Sequence, residues 1–403
     1  MNKGLKFLLY LLALMLIIVP AIFAFTLFNS SKNAFNDSFS QSDERQSQLR
    51  DSKVNAAKQP ISILFLGIDD SSTRRQNGQS AEQSRTDAMI LSTMNPDEHQ
   101  IRLLSIPRDT LSYIPKVGYY DKITHAHAYG GPEASMRTIE ANLNVPVDYY
   151  VRINMEAFAK TVDELGGIEF DVPYDLNEPN TMDKGRIKLK KGKQQLNGDE
   201  VLAVTRTRKQ DSDLKRGQRQ MEVLKILFKK AQDTKSLHKL DDIIEIVGKN
   251  SKHNLSYSEI KALATNYLAN DVEIKSQQLK GENELLNGIY YINPDVDNLI
   301  NTSNLLRKDL GLAPIKYRNQ FLIERVKAYY GEIPPLTFIE DALLQDVKKL
   351  LPKDDHNDEQ NQTSASAHTN DATHHEQTDL QQPTGDQQQG LPDQNQSPDG
   401  SYY

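Results

Sequence analysis

The stretch Ile61–Ile68, which reads ISILFLGI, decides the fold. A nearly continuous apolar run of this length is typical of a strand that is buried on both faces of its sheet. Two more strands are predicted at Asp87–Thr93 and Ile101–Ile106, because both are apolar and the residues between them include the turn-forming pair Asn95-Pro96. The folded part of the chain therefore starts with three neighbouring strands.

Helix-like and strand-like segments alternate further along the chain. The predicted segments are a helix at Pro132–Asn142, a strand at Asp148–Ile153, a helix at Met155–Leu165 and a strand at Ile168–Val172. This alternation predicts an α/β fold in which a mixed central sheet is sandwiched by helices. In such folds, ligands bind at the carboxyl ends of the strands.

The first residues predict a membrane anchor. Lys3 and Lys6 precede an uncharged apolar run from Phe7 to Phe28, which has about the 20 residues that a bilayer-spanning helix needs. A cleaved signal peptide is the alternative, but its apolar core has only about 7–15 residues. Because both lysines precede the run, we expect residues 1–6 in the cytoplasm, a transmembrane signal anchor at 7–28 and the rest of the chain outside the cell.

The C-terminal end carries the acidic charge of the chain. Residues 352–403 contain ten acidic residues and one lysine, a net charge of −9, so the formal charge of −7 for the whole chain leaves +2 for residues 1–351. The segment is rich in Gln and Asn and has few large apolar residues, which predicts a disordered tail. Because the chain has no cysteine, the exported part must be stabilised by an ordinary apolar core.

Arginine and aspartate residues cluster in three segments. These are Ser84-Arg85-Thr86-Asp87 before the second strand, Ser105-Ile106-Pro107-Arg108-Asp109-Thr110 after the third, and Thr205-Arg206-Thr207-Arg208 followed by Asp213, Arg216, Arg219 and Gln220. Guanidinium groups bind phosphate oxygens bidentately, and carboxylates bind hard cations such as magnesium. The clusters predict a site for pyrophosphate and a divalent cation, while a solvated surface or an ion pair is the alternative for any single arginine.

The third segment also has a geometric interpretation. If Arg206 and Arg208 lie in an extended segment, their spacing of two directs both side chains to one face. Asp213 or a neighbour can then cap a helix that carries Arg216 and Gln220 one turn apart. Backbone N–H groups and the dipole at such a helix start favour a bound phosphate.

An ordered set of motifs resembles the LytR-CpsA-Psr family. The motifs are R-T-D at 85–87, S-I-P-R-D-T at 105–110, K-I-T-H-A at 122–126, D-Y-Y-V-R-I-N at 148–154, E-L-G-G-I-E-F-D-V at 164–172 and T-R-T-R-K-Q at 205–210. The resemblance runs from about residue 61 to 231. It implies an extracytoplasmic phosphotransferase that moves an anionic glycopolymer, such as wall teichoic acid, from polyprenyl pyrophosphate to a peptidoglycan sugar hydroxyl and releases polyprenyl phosphate.

The resemblance also implies roles for particular side chains. Pyrophosphate would be bound by Arg85, Arg108, Arg206, Arg208, Arg216 and Gln220. Arg108, Asp109 and Asp213 would be catalytic, Asp87 and Asp109 would bind Mg²⁺ or Mn²⁺, and the general base stays open. The prenyl chain would lie in an apolar pocket lined by Val151, Ile153, Phe158, Val162 and Leu224, with core packing as the alternative role of each.

The implied domain organisation is a polar spacer at 29–58, a catalytic domain at 59–232, a C-terminal extension of uncertain fold at 233–351 and the tail. The expected partners are the lipid-linked glycopolymer, peptidoglycan and the membrane, and nucleic acid is not expected outside the cell. Two alternative functions stay open. A non-catalytic module that binds lipid-linked or wall polyanions would need the arginines but neither metal nor base, and a hydrolase would release the glycopolymer to water.

Overall fold

The computed structural model describes residues 39, 46–70, 75, 78, 80–180, 185–207, 210–233, 251–268 and 270–316. The predicted anchor at 7–28, the predicted tail at 352–403 and Arg208 lie outside these residues. Among the residues that the structure describes, no helix is both long and apolar enough to cross a membrane.

The described part of the chain alternates strands with helices. The strands are β1 (Ile61–Ile68), β2 (Thr86–Asn95), β3 (Gln100–Ser105), β4 (Leu111–Ile114), β5 (Tyr119–Lys122), β6 (Tyr149–Asn154), β7 (Ile168–Val172), β8 (Leu176–Pro179), β9 (Arg186–Leu189), β10 (Gly192–Leu196), β11 (Ser251–His253), β12 (Glu273–Gln278), β13 (Glu282–Leu286) and β14 (Ile289–Asn293). The helices are α1 (His125–Leu143), α2 (Met155–Glu164), α3 (Gly198–Arg206), α4 (Asp213–Asp233), α5 (Tyr257–Leu268) and α6 (Val296–Asp309).

The central sheet has six strands in the order β11-β6-β1-β2-β3-β12. Strand β1 is antiparallel to β2 and parallel to β6, and β3 is antiparallel to β2 and parallel to β12. The sheet is therefore mixed, as the sequence predicts. Because β1 and β3 run in the same direction, their carboxyl ends and the start of β2 lie at one edge.

The predicted turn between β2 and β3 forms through its asparagine. The side-chain Oδ1 of Asn95 accepts hydrogen bonds from the backbone N–H groups of Asp97 at 3.0 Å and Glu98 at 3.1 Å. A short polar side chain that binds the backbone ahead of it stabilises a tight turn. This turn fixes the register in which Leu91 faces Leu104.

Helix α1 starts earlier than the predicted Pro132–Asn142. Its first residues, from His125, are followed by Gly130 and Gly131, which have non-helical backbone angles, with φ of +66° at Gly131. A kink with positive φ favours glycine. Pro132 then opens the second segment of the helix, where its missing N–H group needs no partner. The sequence prediction covered this second segment alone.

Residues after 232 complete the same sheet. Strand β11 pairs with β6 and β12 pairs with β3, so both edge strands come from the predicted extension. The buried carboxylate of Asp309 at the end of α6 accepts hydrogen bonds from Thr93 at 2.8 Å and from Nε of Arg102 at 2.5 Å. The boundary predicted at 232 therefore does not divide the fold, and residues 251–316 belong to it.

The two faces of the sheet are covered by different helices. One face carries Ile63, Ile90 and Leu103 and packs against α4 and α5, whereas α1 and α6 contact the opposite side. A second core fills the space between α2, α3, α4 and strands β7–β10. The predicted helical sandwich is thus present.

Candidate active site

Arg108 lies at the centre of the three predicted clusters. It follows β3, and its Nη1 atom donates to Oδ1 of Asp87 at 2.7 Å, while its Nε atom lies 3.6 Å from Oδ2 of Asp109. Burial disfavours the charged guanidinium, but attraction by Asp87, Asp109 and Asp213 outweighs burial and raises the pKa of Arg108. The fold therefore brings residues of all three clusters together at one edge of the sheet.

The first cluster is held by the start of α1. The backbone carbonyl of Ser84 accepts a hydrogen bond from Nδ1 of His127 at 2.8 Å, and the carbonyl of Thr86 accepts one from the Thr124 hydroxyl at 2.6 Å. These bonds hold the backbone on both sides of Arg85, whose side chain is exposed. The side chain of Arg85 can therefore reach a ligand from a fixed backbone.

His127 acts as a neutral donor in this arrangement. It is completely buried, and burial lowers its pKa to about 4. A neutral imidazole that donates from Nδ1 suits the Ser84 carbonyl, which can only accept.

The extended geometry predicted for the third cluster is wrong for Arg206. A capping box starts α3, in which Asn197 accepts from the Glu200 N–H at 3.0 Å and the Glu200 carboxylate accepts from the Asn197 N–H at 2.9 Å. The helix that starts there continues through Arg206, and the chain becomes extended only at Thr207. The extended segment that the spacing argument needs is therefore absent at Arg206. Arg208 lies outside the described residues.

The helix predicted after Arg208 is present, and it is α4. Asp213 begins α4, and its Oδ1 lies 2.8 Å from Nη2 of Arg216. The side chain of Gln220, one turn later, donates to the Thr205 carbonyl at 3.4 Å. Arg216 and Gln220 are thus one turn apart, as predicted, and Gln220 connects α4 to the end of α3.

Gly217 allows α4 to approach the sheet closely. A Cβ atom at this position would lie 2.5 Å from Nε2 of Gln278 and 2.6 Å from Oγ of Ser105, which is too close for real atoms. Glycine therefore lets the first turns of α4 rest on β3 and β12. This approach brings Arg216 to the same edge as Arg108.

Arg219 stabilises the segment that carries Arg206. It donates to the carbonyl of Val204 at 3.0 Å and to that of Thr207 at 2.6 Å, and it forms an ion pair with Asp211. All three guanidinium nitrogens of Arg219 therefore have partners within the protein. Arg219 positions the segment around Arg206 and does not itself contact a ligand.

Two side chains of the site were not predicted. Nζ of Lys122 lies 2.8 Å from Oδ1 of Asp109 and 5.6 Å from the centre of the Tyr291 ring. Burial raises the pKa of Tyr290, and so do the charges of Asp109 and Asp213 close to it. Lys122 opens the K-I-T-H-A motif and could have been proposed, whereas nothing local in the sequence marks Tyr290.

The β13–β14 hairpin brings Tyr290 and Tyr291 to the site. The N–H of Ile292 donates to the carbonyl of Asp109 at 2.9 Å, and Ile292 forms a bridge with Thr110. This hairpin comes from the part of the chain that carried no motif. The predicted extension therefore forms one wall of the candidate site.

The carboxylates fit magnesium only in part. Asp87 and Asp109 offer the hard oxygen atoms that magnesium prefers, but both face Arg108, and Asp109 also pairs with Lys122. Within the described ranges, no three His, Asp or Glu side chains are grouped to hold a metal ion. Magnesium commonly takes one or two protein carboxylates together with substrate phosphates and water. The donor set therefore fits this ion together with a bound pyrophosphate.

An apolar face of the sheet leads to the charged edge. Phe65 and Val151, which are paired in the centre of the sheet, and the neighbouring Ile153 are only half-buried, although strands surround them. Leu224 and Phe228 of α4 pack on this face. Central residues that keep accessible apolar surface on this face can contact an apolar ligand chain.

The five predicted pocket residues separate into two groups. Val151, Ile153 and Leu224 lie on the apolar face described above. Phe158 and Val162 belong instead to the second core, and Val162 is completely buried there. The prediction for these two is wrong in location, because α2 turns its apolar side toward α3 and β7 rather than toward the sheet.

The fold and the site define a class of protein: a mixed α/β domain with a cluster of arginine and aspartate side chains at the carboxyl edge of its sheet. The chain belongs to the LytR-CpsA-Psr family, because the LytR_cpsA_psr family model matches residues 24–308. The match extends past the motif-bearing region in both directions and includes the edge strands β11 and β12.

Several relatives are similar over most of their length. An uncharacterized protein of Staphylococcus aureus is 65% identical over 86% of this chain and 85% of its own. The polyisoprenyl-teichoic acid–peptidoglycan teichoic acid transferase TagT of Bacillus subtilis is 37% identical over 77% of this chain and 96% of its own. The solved structure of TagT with bound octaprenyl pyrophosphate lipid is 36% identical, covers 68% of this chain and 99% of its own, and has a TM-score of 0.54.

Proposed function

We propose that this chain transfers an anionic glycopolymer of the teichoic acid type from a polyprenyl-pyrophosphate carrier to a sugar hydroxyl of peptidoglycan. Three Bacillus subtilis relatives with 34–37% identity, TagT, TagV and TagU, are teichoic acid transferases that use polyisoprenyl-linked teichoic acid and peptidoglycan. The observation that carries the proposal is the convergence of Asp87, Arg108 and Asp213 beside a half-buried apolar face. A charged edge next to an apolar face matches a substrate with a pyrophosphate head and a prenyl chain.

The pyrophosphate would bind between the sheet edge and α4. Arg108 from the sheet and Arg216 from α4 would bind opposite sides of it, because both belong to the cluster around Asp213. Arg85 would reach it from the start of β2, and Gln220 and Arg206 from the α3–α4 side. Arg208 completes this set by motif and lies outside the described residues. Planar guanidinium groups can hold phosphate oxygens bidentately, which fixes the orientation of the phosphorus.

The reaction exchanges one phosphorus–oxygen bond for another. The acceptor hydroxyl oxygen attacks the phosphorus that carries the first sugar of the polymer, and the bond from that phosphorus to the bridging oxygen breaks. Polyprenyl phosphate leaves with the bridging oxygen, and the hydroxyl proton ends on this phosphate or in solvent. Negative charge grows on the bridging oxygen as it leaves with polyprenyl phosphate. The arginines would stabilise this charge from fixed positions, which is the main contribution of a protein to phosphoryl transfer.

The carboxylates would orient the cations and, with substrate bound, a metal. Asp109 keeps Lys122 and Arg108 beside the reacting groups, and Asp213 orients Arg216. Asp87 and Asp109 would hold magnesium or manganese, which would supply positive charge to the phosphate oxygens. Asp87 must then release part of its contact with Arg108, and the guanidinium becomes available to the pyrophosphate.

The prenyl chain would extend away from this edge along the apolar face. Val151, Ile153 and Leu224 are only half-buried and would contact it. Burying apolar surface contributes about 25 cal/mol for each Å² removed from water. A long prenyl chain would therefore supply much of the affinity for the donor.

The apolar segment 7–28 would tether the enzyme to the membrane, with the transferase domain outside the cell. A membrane-embedded donor and a wall-bound acceptor are both within reach of such a domain. Protease added to intact protoplasts should digest the chain down to a membrane-protected N-terminal fragment. A chain that stays intact under those conditions contradicts this topology.

The direct test supplies both substrates to the full chain in detergent micelles. A short lipid-pyrophosphate glycan and peptidoglycan oligomers should give a covalent glycan–peptidoglycan product and polyprenyl phosphate in equal amounts. The R108A variant should form the product much more slowly, and R137A, which removes an arginine of α1 whose side chain is 40% exposed, should form it at the wild-type rate. Donor binding without product would support the binding module, and free glycan in place of the linked product would support the hydrolase.

A further inference from the structure

Four polar and aromatic side chains form a cluster that has no role in the site described so far. Tyr119 and Asp121 lie on β5, and His125 and Tyr129 lie on the first segment of α1. We call them the Asp121 cluster. Its carboxylate is shared, because Oδ2 of Asp121 is 2.7 Å from Nδ1 of His125 and 2.7 Å from the hydroxyl of Tyr129.

The hydrogen bonds determine which groups of the cluster can accept from a ligand. Burial raises the pKa of Asp121, but hydrogen bonds from His125, Tyr129 and the Lys122 N–H outweigh burial, so the pKa is lowered and the carboxylate is ionised. An ionised carboxylate only accepts, so Nδ1 of His125 carries the hydrogen. In the neutral ring, Nε2 then has a lone pair for a hydroxyl donor.

The two tyrosines present aromatic surface beside these groups. Tyr119 is 46% exposed and Tyr129 is 36% exposed, although large apolar side chains of the fold are mostly buried. Their ring centres are 6.1 Å apart at 74°, and the ring of His125 lies 6.2 Å from that of Tyr129. Exposed ring faces next to fixed polar groups suit a ligand with an apolar face and polar edges.

The cluster borders the candidate active site. Residues 121–125 run beside 108–110, since the N–H of Thr124 donates to the Arg108 carbonyl at 3.2 Å and that of Ile123 to the Thr110 carbonyl at 2.9 Å. Lys122, inside this segment, is the residue paired with Asp109. A ligand on the Asp121 cluster would therefore lie next to the pyrophosphate.

We propose that the Asp121 cluster binds the acceptor: a sugar ring of the peptidoglycan glycan strand rests on Tyr119 and Tyr129, and its hydroxyl groups bind Asp121 and Nε2 of His125. The proposal rests on the transferase function. Charge selects the acceptor over the donor, because an ionised Asp121 repels the pyrophosphate and the phosphates of the polymer. A sugar ring has C–H faces for the tyrosines and hydroxyl donors for the carboxylate, whereas a prenyl chain would leave the polar groups without partners.

The test measures acceptor and donor separately with the full chain in micelles. Y119A and H125A should raise the KM for short peptidoglycan glycan oligomers roughly three- to tenfold, the effect of one or two hydrogen bonds or contacts. The KM for the lipid-linked donor should stay within about twofold. H125Q, which keeps a hydrogen-bond acceptor, should recover part of the loss, a result that a purely structural role of His125 does not give.

L305A is the matched control, because Leu305 is 41% exposed and lies on α6 near the other end of α1, where Arg307 donates to the Asn144 carbonyl.

Binding of the glycan oligomers without donor, measured by calorimetry, tests the subsite even if transfer fails. Wild-type binding that is weakened in Y119A supports the proposal. Equal binding, or an equal acceptor KM, in Y119A, H125A and wild type overturns the proposal and leaves the transferase function standing. If the wild-type protein forms no transfer product at all, the proposed transferase function is overturned instead.

Discussion

The Nη1 atom of Arg108 lies 2.7 Å from Oδ1 of Asp87, and the two side chains are 26% and 30% exposed. The pair joins the end of β3 to the start of β2. Because solvent reaches both groups, their attraction is weak enough for a ligand to compete. A pyrophosphate with several negative oxygens can therefore take over the guanidinium, and a cation can take over the carboxylate.

The first prediction concerns Arg108 itself. R108A should reduce turnover roughly ten- to hundredfold, because each charge-assisted hydrogen bond contributes about 1.5–3 kcal/mol. R108K should recover only part of the rate, since an ammonium group cannot bind bidentately. Transfer rate and donor affinity measured on the same preparations separate catalysis from binding. Wild-type turnover in R108A would exclude this site.

A second prediction addresses the metal. D87A should bind the lipid-linked donor with at most a modest loss, because the arginines remain, but it should lose transfer and its dependence on magnesium. The measurement is the rate as a function of added magnesium, with calorimetry of donor binding beside it. D175A, which removes an exposed carboxylate paired with Lys190, is the control. A D87A rate that still rises with magnesium would place the ion elsewhere.

The sequence was sufficient for the inner strands and for the position of the first two charged clusters at strand ends. Buried strands have a strong local signal, and strand ends with charged residues share an edge once the strands are antiparallel neighbours. The sequence does not predict strands whose pairing partners are far away along the chain. Strand β11 has three residues and β12 reads EIKSQQ, so neither looks like part of a buried sheet. Only their partners β6 and β3 make them strands.

The wrong geometry of Arg206 has a different cause. The spacing of Arg206 and Arg208 alone favours an extended segment, whereas Asn197 and Glu200 upstream form a capping box that starts a helix. A well-capped helix continues until its hydrogen bonds end, and here it ends after Arg206. The capping signal was present in the sequence and outweighs a two-residue alternation.

Two buried histidines predict a dependence of stability on pH. Burial lowers the pKa of His127 to about 4 and that of His253 to about 4, below the ordinary value of 6.5. Below pH 6.5 the unfolded chain therefore binds more protons than the folded chain, so stability falls as the pH drops toward 4. Between pH 7 and 5, each histidine should lower the free energy of unfolding by about 2 kcal/mol.

Thermal melting of the wild type and of H127Q between pH 5 and 8 checks this dependence. The variant should be less stable at pH 7 but should lose less stability toward pH 5. Parallel curves for the two proteins would contradict the role of His127. H125Q is the control variant for this measurement, because it removes a histidine whose side chain is partly exposed and not fully buried.

The acidic tail should be separable from the enzyme. Removal of residues 352–403 should change the melting temperature little and keep the transfer rate within about twofold, since a segment with this composition adds no apolar core. Melting and transfer assays of the truncated and full chains give the comparison. A marked fall in melting temperature would mean that the segment packs on the domain.

The last prediction tests the apolar face as the place of the prenyl chain. Val151 is half-buried within the sheet, paired with Phe65, and packs on the same core as Leu224. V151F adds side-chain volume on this face and should exclude part of a long chain. Each CH₂ group kept out of the pocket costs about 0.8 kcal/mol, so the loss of two or three groups should weaken a long-chain donor at least about tenfold. A donor with a very short prenyl chain should lose little, because its chain does not reach Val151. The KM of V151F is measured with donors of increasing chain length, and a melting curve shows whether the variant is folded. If short and long donors are affected equally in a folded V151F, the prenyl chain does not lie on this face.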